Sequence, residues 1–145
     1  MISQTAEYAL RAMVMLADRE GIPQTAQAVS EVTQVPVGYL SKIMLGLVKA
    51  GLVTSRRGLH GGFVLSSTAA KLTIYDVVEA VDPIRRITTC PLSLAAHGKK
   101  LCSLHRRLDD ALATTETAFR AVTLQQLLTQ TGNSRPLCPL LPSSG

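Results

Sequence analysis

The chain has 145 residues and a formal net charge of +5; 46% of it is hydrophobic but only 3% aromatic, with no tryptophan. That length suits one compact domain, or a small domain with an extension, and the aliphatic core that this composition dictates leans helical. No apolar run reaches the ~18 residues a bilayer span needs, and Glu7, Arg11, Asp18 and Arg19 interrupt the first twenty positions, which excludes a secretory signal and predicts a cytoplasmic protein without a membrane partner.

Helical patterns recur along the chain. In SQTAEYALRAMVMLADRE the stripe is Ala6, Leu10, Met13, Val14 and Ala17, with Ser3 or Thr5 as cap. The loop EGIPQ ends it, and Thr25 caps a short second helix, AQAVSEVTQ. In VPVGYLSKIMLGLVKAG, Leu40, Ile43, Met44, Leu47 and Val48 follow the i, i+3, i+4, i+7, i+8 pattern. Pro36 stands near the first turn of this third helix and Gly51 stops it. LVTS at 52–55 and GFVLS at 62–66 then alternate, with RRGLHG between them, as a β-hairpin with a basic, glycine-rich tip. Thr73 and Asp76 have capping-box spacing at the head of LTIYDVVEAV, which Asp82-Pro83 ends. Residues 83–102 read as irregular. A long helix runs from Ser103 to about Val122, with Leu104, Leu108, Ala111, Leu112, Thr115, Phe119 and Val122 in one stripe. The tail from 131 is rich in Pro, Ser and Gly and reads as flexible.

This order, a short helix, a tight turn, an amphipathic helix and a basic hairpin, is that of a winged helix–turn–helix. The fold class is therefore mainly α with a small β-hairpin wing. No acidic residue occurs between Glu31 and Asp76, while Lys42, Lys49, Arg56, Arg57 and Lys71 all fall there. A basic stretch without acids suits a polyanion. With Leu40, Ile43, Met44 and Leu47 turned to the core, Gly38, Tyr39, Ser41 and Lys42 face outward near a helix N-terminus, placed to read the major groove of double-stranded DNA. Arg56, Arg57 and His60 on the hairpin suit the narrow minor groove. The rival reading is a three-helix domain with a solvated basic loop.

The motifs TAEYALRAM (5–13), VPVGYLSKIMLGLVKAGLV (35–53), SRRGLHGGFVL (55–65) and LTIYDVVEAVD (72–82) resemble the IscR/NsrR-type winged-helix regulators of the BadM/Rrf-two superfamily. The resemblance implies a homodimeric transcription regulator, by family habit a repressor, with a winged domain at 1–82, a cluster-binding loop at 83–102, a dimerisation helix at 103–130 and a tail at 131–145. It also implies, for many members, an iron–sulfur cluster whose state sets DNA affinity.

That implication bears on CPLSLAAHGKKLCSLH, residues 90–105. Cluster-binding members carry three cysteines in this loop and, in some, a histidine three residues on. Cys90 matches the first cysteine, Cys102 the last and His105 the histidine; Ala95 and Ala96 stand where the middle cysteine belongs. Cys102 and His105, at i and i+3, share a face at a helix start, and histidine can replace cysteine as a ligand. The set implied is a 2Fe-2S rather than a 4Fe-4S cluster. Three residues compete for the fourth position: Glu7 of the partner subunit, whose plainer role is an i, i+4 pair with Arg11; His97; and Cys138 in the tail. The competing functions are a cluster-free regulator using redox thiols, a zinc site or a partner protein. An enzyme with a cysteine nucleophile is not expected, because nothing in the sequence points to a pocket or an oxyanion hole.

Overall fold

We describe a computed structural model of the protein over residues 2–92, 100–130 and 136–137. His97, Cys138 and most of the tail lie outside the described residues. The elements run α1 (Gln4–Asp18), α2 (Ala26–Thr33), α3 (Val37–Lys49), β1 (Val53–Arg56), β2 (Gly62–Leu65), α4 (Ile74–Val81), α5 (Ser103–Arg120) and α6 (Leu124–Thr129).

Local chemistry sets most of these boundaries. The Ser3 hydroxyl accepts from the Ala6 N–H and starts α1, and Thr25 does the same for α2 through Ala28. Gln34 takes a left-handed φ of 60° and stops α2. Thr73 and Asp76 form the full capping box of α4, and Thr123 with Gln126 form a second one on α6.

α1 is the central element. It touches α2, α3, α4, α6 and β2, so residues 12–17 are buried all round and the stripe expected for it is too narrow. Met13, Met15 and Leu16 pack with Leu40, Met44 and Leu47 of α3 and with Leu124. β1 and β2 pair antiparallel from Val53↔Leu65 to Arg56↔Gly62. β2 also bridges back to the α1–α2 loop: the Gln24 N–H donates to the Phe63 carbonyl at 3.0 Å, and the Phe63 N–H to that of Gln24 at 2.7 Å.

The C-terminal segment departs from a single helix over 103–130. α5 stops at Arg120, and the chain turns back onto residues 69–74. There Ile74 N–H donates to Val122 O at 3.0 Å, Leu124 N–H to Leu72 O at 2.8 Å and Gln125 N–H to Ala69 O at 3.1 Å. Leu124 is completely buried in the core of the winged unit. A fully apolar side chain just past the end of α5 makes this return favourable, because its burial stabilises by roughly 1.5–3 kcal/mol. Among the described residues no helix is long and apolar enough to cross a membrane.

Candidate nucleic-acid interface and thiol site

The α2–α3 turn is held by a ring of side-chain bonds. The Thr33 hydroxyl donates to Val29 O at 2.6 Å and accepts from Val35 N–H at 3.3 Å, and the Ser30 hydroxyl donates to Val35 O at 2.6 Å. Arg11 reaches from α1 to Thr33 O at 3.2 Å. These bonds fix the angle at which α3 leaves the body. Leu40, Ile43, Met44 and Leu47 are buried, and Gly38, Tyr39, Ser41 and Lys42 are exposed, as the periodicity predicts. Val48 is half-buried. Nothing lies within 4 Å of where a Gly38 Cβ would stand, so this first turn is open to a ligand. Tyr39 meets Tyr8 edge-on at 6.1 Å between ring centroids, which braces the start of α3 on α1. The Ser41 hydroxyl donates to Val37 O at 3.1 Å.

Arg56, Arg57 and His60 are exposed on the hairpin. The tip is a tight turn closed by Gly61 N–H donating to Gly58 O at 3.0 Å. Two glycines are required here by contact rather than by freedom. A Cβ on Gly61 would collide with the Arg56 carbonyl, and one on Gly62, which has φ +145°, would lie 2.6 Å from Gln24 O. The wing thus has a closed turn at its tip and is anchored at its root.

The thiol site lies at the start of α5. Cys102 is the N-cap residue and its sulfur is not used as a cap. Cys102 Sγ lies 3.1 Å from His105 Nδ1, so the i, i+3 pair expected from the sequence is brought together. Cys90 is 8% exposed, at the end of the irregular segment, and forms no disulfide with Cys102. Glu7 accepts from Arg11 Nε at 2.8 Å, the plainer of its two expected roles. Among the described residues no three His, Cys, Asp or Glu side chains converge as a metal-binding set. Cys102 and His105 are two donors of the kind an iron–sulfur group takes, and among the described residues of one chain no third donor joins them.

Sequence spacing could not have found Arg86. Its Nε and Nη2 donate to the two oxygens of Asp109, 23 residues on, and its Nη1 donates to Glu116. These bonds fasten the segment leading to Cys90 onto α5. At the far end of that helix Arg120 stacks 3.6 Å above the Tyr75 ring of α4. α5 buries none of its residues in one chain, and Leu104 and Leu108 are 61% and 48% exposed. A cleft of roughly 430 Å³ opens between Ile2 and Ala6 of the N-terminus, Pro83, and Leu112 and Phe119 of α5.

Residues 2–130 match the Rrf2 family, described as iron-dependent transcriptional regulators. A protein of Aquifex aeolicus strain VF5 named as an HTH-type transcriptional regulator is 27% identical over 131 residues, 88% of this chain and 91% of its own length. CymR, described as the global cysteine regulator of B. subtilis, superposes with a TM-score of 0.74 at 24% identity, covering 91% of this chain and 98% of its own. T. potens IscR superposes with the same TM-score, 0.74, at 21% identity, covering 92% of this chain and 93% of its own.

Proposed function

Because the chain belongs to the Rrf2 family of transcriptional regulators, we propose that it binds specific sites on double-stranded DNA as a homodimer and represses transcription there. One observation carries this reading: the exposed first turn of α3 and the basic wing are both uncovered, in a stretch from 32 to 75 that holds no acid. The DNA contacts are Gly38, Tyr39, Ser41 and Lys42 in the major groove, and Arg56, Arg57 and His60 along the wing. The homodimer forms through the uncovered stripe of α5. Two-fold symmetry then sets the half-site spacing at about 34 Å, one helical turn, or a multiple of it.

DNA selected from a random-sequence duplex library tests this. The wild-type protein should enrich a palindrome. Arg56→Ala with Arg57→Ala should lower the slope of log affinity against log salt by roughly 0.9 for each phosphate that the wing ceases to neutralise. An unchanged slope removes the wing from the interface.

The input site of the proposed regulator is the Cys102–His105 pair. An iron–sulfur cluster, 2Fe-2S, is supported by the family's iron dependence and by the donor chemistry of this pair. Cys90 and a further donor, Glu7 of the partner subunit or His97, would complete its ligands. A second reading, a regulator acting through its bare thiols, is supported by the close Cys102–His105 pair and by the fold shared with CymR, described as a global cysteine regulator. Purification without oxygen separates them. Bound iron and sulfide that disappear in Cys102→Ala and His105→Ala establish the cluster. Iron-free protein whose DNA affinity changes on thiol oxidation, and not in Cys102→Ala, establishes the thiol switch.

A further inference from the structure

Leu59 is 95% exposed, the most open large apolar side chain among the described residues. Single exposed leucines are ordinary on protein surfaces; this one differs in how it is presented. It stands within the tip turn, between Gly58 and His60, and that turn is closed by the Gly61–Gly58 hydrogen bond of 3.0 Å. Gly58 has a left-handed φ of +107°, and the Gly61 position has no room for a side chain. At the root, the paired hydrogen bonds between Gln24 and Phe63 hold β2 on the body. Leu59 is thus held out on a closed turn, away from the core, whose apolar members lie on the helices and at the base of the hairpin.

We propose that Leu59 is an apolar wedge, which the wing inserts between base pairs from the minor groove of double-stranded DNA, so that this chain selects its sites partly by how easily a base step unstacks. This rests on the DNA-binding reading above and adds a specificity determinant to it. Three features favour DNA over other occupants. The neighbours of Leu59 along the turn are Arg56, Arg57, Gly58, His60, Gly61 and Gly62, so the turn itself presents a single apolar side chain. A protein interface needs roughly 800 Å² from each partner, whereas a wedge between bases needs a single Leu, Ile, Phe, Met or Pro. The flanking cations draw in the phosphates on both sides of a groove. Finally, a turn already closed by its own hydrogen bond presents the side chain with part of the ordering cost of binding already met. Pyrimidine–purine steps unstack most readily, so the proposal places such a step opposite the wing.

The test uses the full-length chain and duplexes selected from a random-sequence library by the wild-type protein. A 2-aminopurine is placed at the step facing the wing. The wild type should enrich a pyrimidine–purine step there and raise the 2-aminopurine fluorescence on binding. Leu59→Ala should bind about tenfold more weakly, equivalent to about 1.4 kcal/mol, with an unchanged salt slope, no fluorescence rise and no preference at that step. Leu59→Met should restore most of the affinity. Arg57→Ala, by contrast, should lower the slope by roughly 0.9. Because Leu59 lies outside the core, thermal unfolding of its variants should match the wild type. Equal affinity and identical selected sites for wild type and Leu59→Ala overturn the wedge while leaving the DNA reading intact. A wild type that enriches no sequence overturns both.

Discussion

Arg86 and Asp109 form a two-pronged ion pair, each prong 2.7 Å long, and the Ile87 N–H adds a third bond to the same carboxylate at 2.8 Å. The irregular segment between α4 and Cys90 is therefore tied to the second turn of α5. The segment leading to Cys90 and the helix that starts after Cys102 are thus held together by a contact that involves neither cysteine.

The pair should show in the acid limb of stability. The hydrogen bonds from Arg86 hold the Asp109 carboxyl down to about 2 from 3.8, with burial opposing and the Ile87 N–H assisting. A carboxyl depressed in the folded state contributes stability that is fully present above 3.8 and lost as pH falls through about 2. Melting temperatures of the wild type should thus fall more steeply over that window than those of Asp109→Asn. Parallel profiles would mean that the pair adds nothing to folding.

Leu124 is the clearest single test of the C-terminal return. It is fully buried and belongs to the core cluster around α1. Leu124→Ala should cost about 2–5 kcal/mol in urea unfolding, from the forfeited transfer energy plus the cavity left behind. A cost under about 0.5 kcal/mol, the range typical of surface positions, would place α6 outside the cooperative unit.

Leu104 and Leu108 should behave differently. Both are exposed in one chain on a helix with no buried residue, and the proposed homodimer covers them. Leu104→Asp with Leu108→Asp should leave helix content intact and convert that proposed dimer to a monomer in analytical ultracentrifugation. DNA affinity for a two-half-site duplex should fall with it, because the second half-site is no longer engaged by a linked subunit. A stable dimer of the double variant would move the interface off this stripe.

Two glycines offer a paired control on the proposed DNA-facing surface. Gly62→Ala forces a side chain into a backbone with φ +145° and against Gln24; it should cost about 1–3 kcal/mol and loosen the wing. Gly38→Ala meets open space and should leave the unfolding midpoint nearly unchanged while crowding the groove-facing turn. Gel-shift affinity should drop for both, with a stability loss for Gly62→Ala alone. Equal stability of the two would sink the claim that the wing root is close-packed.

Much of the candidate interface is legible in the sequence. The buried face of α3 shows in the spacing of Leu40, Ile43, Met44 and Leu47, which leaves Gly38, Tyr39, Ser41 and Lys42 outside. The wing shows in its glycines and arginines, though not the reason for them, since the Gln24 backbone that excludes a side chain from Gly62 is 38 residues away. The thiol site is legible as a pair. Cys102 and His105 meet because the helix places i beside i+3, whereas a set of three would have needed Cys90 to be carried in by a segment without regular structure.

The amino-acid sequence by itself determined the short-range features: the caps at Ser3, Thr25 and Thr73, the apolar stripe of α3, the hairpin and the Cys102–His105 contact. Each depends on residues within a few positions of one another, where backbone geometry alone sets the distance. Only the tertiary structure decided that the chain beyond α5 returns through Leu124 to the winged unit, that β2 is sewn to Gln24, and that Arg86 clasps Asp109. Those contacts join stretches whose mutual distance depends on the packing of the whole core, so no local spacing encodes them.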